Sequence, residues 1–93
     1  MCVALVGGMD RLKRDYEKTA KSMGITLRIF TGKESCLLDK MGQPDHTILF
    51  TGMISHNARA GVMQRSKSLG IPVTFLHSSG VSSLSRCLRG IKS

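Results

Sequence analysis

The chain of 93 residues has no tryptophan, only four other aromatic side chains, three cysteines, and no acidic residue after Asp45. Each shortage narrows what the protein can be. The aromatics, Tyr16, Phe30, Phe50 and Phe75, fall on positions expected to face the core, which leaves no exposed platform for stacking bases. The cysteines, Cys2, Cys36 and Cys87, are odd in number and widely spaced and form no CxxC pair, so neither a disulfide framework nor a zinc knuckle is indicated. Each is expected as a reduced, small core residue. No apolar run is long enough for a membrane span, and the opening MCVALVGG enters a strand without a basic leader, which predicts a soluble cytoplasmic protein.

Motifs are missing too. GxGxxG is absent and no acid ends the second predicted strand to hold a ribose, so the pair Gly7-Gly8 is a poor dinucleotide fingerprint. GxxxxGK[ST] does not occur, and no helix-turn-helix or other nucleic-acid reader appears. NAD, FAD and P-loop nucleotide chemistry therefore find no support.

Apolar content is ordinary, and a chain of this length fits one domain, residues 1–93, with a single modest core. The net charge of +8 is unevenly spread. All six acids lie in residues 1–45 among eight Lys and Arg, whereas residues 46–93 hold Arg59, Arg65, Lys67, Arg86, Arg89 and Lys92 with no acid. A negatively charged partner follows from that half.

Four short apolar runs read as strands: 2–6, 26–30, 47–50 and 72–76. They are continuous rather than alternating, as when helices cover both faces of a parallel sheet. Helical patterns lie between them. The first, 11–23, buries Leu12, Tyr16, Ala20 and Met23; a short second occupies 34–41. The third starts after Ser55 as N-cap and buries Ala58, Val62, Ser66 and Leu69. The fourth follows Gly80 with Val81, Leu84, Leu88 and Ile91 on one face. The chain repeats its joints, IFTG at 29–32 and LFTG at 49–52, SMGI at 22–25 and SLGI at 68–71, each of the latter pair closing a helix with glycine. Strict β-α alternation predicts an α/β fold: a small open parallel four-stranded sheet of order 2-1-3-4 with helices on both faces. The apolar fourth strand then lies on an edge, which predicts a homodimer or a segment exchange there.

In such sheets ligands bind beyond the carboxyl ends of the strands. That rim gathers Gly7, Gly8, Asp10, Arg11, Thr51, Ser55, His56, His77, Ser78, Ser79, Gly80 and Ser82. Glycines admit close backbone approach, hydroxyls donate hydrogen bonds, and helix N-termini favour negative charge, so a phosphate or carboxylate cradle is expected. The same serines also read as N-caps and the glycines as a tight turn, and both roles are compatible with a ligand. His56 and His77 follow adjacent strands and would begin a metal site, with Asp10 or a cysteine as third ligand. His77 beside Ser78 or Ser79 suggests an activated nucleophile, but the second half has no carboxylate to orient the imidazole. Arg59, Arg65 and Lys67 on the third helix and Arg86, Arg89 and Lys92 on the fourth offer an alternative, weakly sequence-specific nucleic-acid surface.

The segments ALVGGMDRLKRDY, LFTGMISHN and FLHSSGVSSLSRCL together resemble a bacterial family of small domains of unknown function, with a GG-x-D-R opening, Ser-His after the third strand and a His-Ser-Ser-Gly-x-Ser-Ser-Leu close. The resemblance covers almost the whole chain. It implies a compact Rossmann-like fold and singles out the rim residues above together with Tyr16, but brings no activity or cofactor. The expected function is an anionic-ligand binding domain; the alternatives are nucleic-acid binding and a minimal metal protein or enzyme on Asp10, His56 and His77.

Overall fold

The computed structural model describes residues 1–8, 10–30, 42–52, 54–77 and 80–92, with backbone alone at Asp10 and Lys92. Strands β1 (Cys2–Val6), β2 (Thr26–Phe30), β3 (His46–Phe50) and β4 (Val73–Leu76) form one all-parallel sheet of order β2-β1-β3-β4. Helices α1 (Lys13–Ser22), α2 (His56–Leu69) and α3 (Val81–Lys92) alternate with them. This is the predicted α/β order. The short helix expected over 34–41 lies outside the described residues.

Two of the sequence's repeated joints are the same physical device. In both SMGI and SLGI the glycine takes a left-handed φ, 72° at Gly24 and 70° at Gly70. The following isoleucine donates its N–H back to the helix, Ile25 to the Ala20 carbonyl at 3.0 Å and Ile71 to the Ser66 carbonyl at 2.8 Å. Each helix is thus stopped by a Schellman closure and the chain is aimed at the next strand.

The strands' side-chain alternation divides the core in two. Val3, Leu5, Ile48 and Phe50 point to the face covered by α1 and α3, where Tyr16, Ala20, Leu84 and Leu88 pack. Ala4, Val6, Phe30 and Leu49 point to the other face, against Val62 of α2. Strands β1 and β3 are buried on both sides, which is why their sequences are continuously apolar.

Some expectations are corrected. The first helix opens as a 3-10 turn, Asp10–Leu12, and the α-helix proper starts at Lys13 with Leu12 at the N-cap position and no side-chain capping hydrogen bond. Strand β3 begins one residue earlier, at His46, and β4 one later, at Val73. In α2 only Val62 and Ser66 are buried; Ala58 is half-buried and Leu69 is 40% exposed, since the turn into Gly70 carries Leu69 off the packed face. Phe75 is not a core residue: it stands on edge strand β4, 41% exposed, with the Arg59 guanidinium 5.2 Å from its ring centre. Cys2 and Cys87 are free thiols, as expected, but half-buried rather than core, and Cys36 lies outside the described residues.

Candidate functional site

The parallel sheet does bring the exits of its strands to one rim, and the residues there differ in what they do. Gly7 has φ +90° and its N–H donates to the Phe30 carbonyl at 2.8 Å. A Cβ at Gly7 would lie 2.6 Å from Ile54 Cγ2 and 3.0 Å from the Phe50 oxygen, and one at Gly8 3.1 Å from Tyr16 Cε2. Both glycines are buried. Packing and backbone conformation account for them, and Gly7 has no amide proton left to offer.

The β3 and β4 exits are more open. Thr51 Oγ1 and His77 Nδ1 approach to 3.4 Å, while the Thr51 N–H is tied to the Leu76 carbonyl at 2.9 Å. Gly52 is exposed, and a Cβ there would pass 3.8 Å from the His77 carbonyl oxygen. Ser55 caps α2 as predicted, its hydroxyl accepting from the Ala58 N–H at 3.2 Å. His56, the first residue of α2, and Ser82, in the first turn of α3, are exposed, as is Arg11 at the far end of the rim. Gly80 precedes α3 and its carbonyl accepts from Leu84 at 3.3 Å. Ser78, Ser79 and the Asp10 side chain lie outside the described residues. The rim pairing is therefore Thr51 with His77; among the described residues no group of three metal-ligating side chains forms.

The cations expected to form a nucleic-acid surface are split between the two faces of the sheet, because α2 covers one and α3 the other. Arg59 lies over Phe75, and the Nε of Arg65 is buried without a hydrogen-bond partner.

Sequence reasoning missed a second polar cluster. His46 and Thr74 both point to the α3 face, since His46 pairs with Val3 and Thr74 with Ile48 in the strand register. His46 Nε2 and Thr74 Oγ1 are 2.7 Å apart, the donor set by the imidazole tautomer. Burial pushes the His46 pKa below its ordinary value. Burial likewise pushes the Cys87 thiol up, opposed by a hydrogen bond with Thr74. His46 directly precedes an apolar run, and a strand boundary drawn one residue later hides it.

Residues 2–91 match the family described as uncharacterized protein conserved in bacteria, DUF2325. The chain belongs to this family. Comparison with curated proteins and with solved structures finds no match. Family membership carries no activity with it, so the chemistry of this DUF2325 member has to be argued from its own residues.

Proposed function

We propose that this DUF2325 member is a binding domain for a small phosphate-bearing anion, held at the corner where β3 and β4 leave the sheet. The observation that carries this is the 3.4 Å approach of Thr51 Oγ1 and His77 Nδ1, which unites polar side chains from two separate loops. Each loop leads within a few residues to a helix N-terminus, α2 after Ser55 and α3 after Gly80, where the helix dipole favours negative charge. Residues 46–93 contain no acid to repel such a ligand. The hydroxyl and the imidazole would donate to phosphate oxygens, with exposed Gly52 allowing close approach.

Inorganic phosphate tests this. It should raise the melting temperature beyond the rise given by sodium chloride at equal ionic strength, a control demanded by the +8 charge. His77→Ala and Thr51→Val should each remove that excess without lowering the melting temperature in its absence. No excess with phosphate, sulfate or nucleotides would refute the proposal.

We propose in addition that a second copy of the chain covers the β4 edge. The exposed ring of Phe75 on an open strand favours it.

A further inference from the structure

Away from the rim, a cleft of about 550 Å³ opens between α3 and the β3–β4 side of the sheet. Its volume lies in the range that holds small organic ligands. Helical spacing produces it: Ser83, Cys87 and Gly90 form a stripe of small residues beside the buried Leu84 and Leu88, so α3 does not fill the space above His46 and Thr74. Gly90 is telling. It sits in the last turn of the helix, where glycine is still somewhat less favourable than alanine, and a Cβ there would meet nothing within 4 Å. Packing against the described residues does not require it, whereas packing does require Gly7.

The floor and walls are chemically distinct. Leu76 and Ile91 supply apolar surface, and the His46–Thr74–Cys87 cluster supplies neutral polar groups. Arg86 is exposed at the mouth as the one cation lining the cleft among the described residues apart from the titratable His46. We infer that this cleft is a second ligand site, taking a small organic monocarboxylate whose apolar chain lies over Gly90 between Leu76 and Ile91 and whose carboxylate pairs with Arg86. A single planar guanidinium matches a carboxylate in charge and geometry, and the largely apolar lining favours an alkyl chain over a bare inorganic anion. The site shares no residue with the Thr51–His77 corner and does not depend on the phosphate proposal.

Sodium octanoate is the probe, followed by amide chemical shifts. Thr74, Cys87 and Gly90 should shift saturably with Kd of about 1 mM or tighter. Arg86→Gln, a surface change, should weaken binding about fivefold or more. Gly90→Leu should block the floor over which the alkyl chain lies and abolish binding, with the melting temperature unchanged or raised. Inorganic phosphate should leave the cleft amides unmoved, so a failure at one site is not mistaken for a failure at the other. Absence of saturable shifts at those three amides up to 10 mM octanoate (roughly ten times the expected Kd), or shifts that survive both substitutions, would overturn the inference.

Discussion

At the scale of single residues, two glycines have opposite meanings. Gly7 combines φ +90° with a Cβ position crowded by Ile54 and Phe50, so Gly7→Ala adds both backbone strain and overlap with Ile54 and the Phe50 carbonyl. It should destabilise the domain by about 2–4 kcal/mol. Gly90→Ala meets open space and should stabilise it by about 0.5 kcal/mol, at the lower end of the usual helix gain because Gly90 stands in the last turn. Urea unfolding of the two variants reads both signs in one experiment. His46 adds a pH dependence. Its folded pKa is held below the ordinary 6.5, so as pH falls the unfolded chain takes up a proton that the folded state resists. The stability it protects is complete above about pH 6.5 and is lost below. Arg86 and Cys87, which face the same cleft, add no carboxylate to counter that proton. His46→Asn should therefore flatten the fall in stability between about pH 7 and pH 5, measured by urea midpoints. An unchanged slope would show that His46 titrates alike in both states. The tight turn at Gly7 was legible in the sequence, but the His46–Thr74 contact was not, because a histidine before an apolar run carries no signal of the threonine 28 positions away on the neighbouring strand.

At the scale of elements, local chemistry predicts well where one residue decides. The S-x-G-I joints close α1 and α2 with the same hydrogen bonds because left-handed glycine and a returning isoleucine N–H need no tertiary help. Ser55 is likewise a cap on local grounds, and Ser55→Ala should cost about 1 kcal/mol. Burial is another matter, since it depends on what stands opposite. Periodicity places Leu69 and Val62 on one stripe, but the helix end turns Leu69 outward to 40% exposure. Leu84→Ala, by contrast, empties a fully buried position against the sheet. Denaturation should give a loss of about 2–5 kcal/mol for Leu84→Ala and a change within about 0.5 kcal/mol for Leu69→Ala. Comparable losses at the two sites would mean that α2 seats its last turn on something. The order 2-1-3-4 was readable because alternation of strands and helices with right-handed crossovers leaves few arrangements.

At the scale of the molecule, charge and shape pull in different directions. Residues 46–93 are a polycation, yet α2 and α3 carry its charges on opposite faces of the sheet. The fold thus divides what looks in sequence like one basic half between the two faces of the sheet. The β4 edge bears Phe75 beside the Arg59 guanidinium; the order 2-1-3-4 already put β4 on an edge, but its apolar run assigned Phe75 to the core. If a second copy covers it, sedimentation should show about twice the 10.1 kDa chain mass, and Phe75→Lys should return the protein to monomer with its fold intact. A wild-type monomer across the concentration range would dispose of the dimer.

The rim could be located from sequence because all parallel strands end on one side, whereas the choice among its loops required coordinates: Gly7 is consumed by packing and by Phe30, while Thr51 and His77 meet. The most direct measurement is an amide-shift titration with inorganic phosphate against sodium chloride of matched ionic strength. The proposed site predicts saturable shifts concentrated at Thr51, Gly52 and His77 and absent in His77→Ala. Shifts spread evenly over the arginine-bearing faces of α2 and α3, or identical in the chloride control, would contradict it.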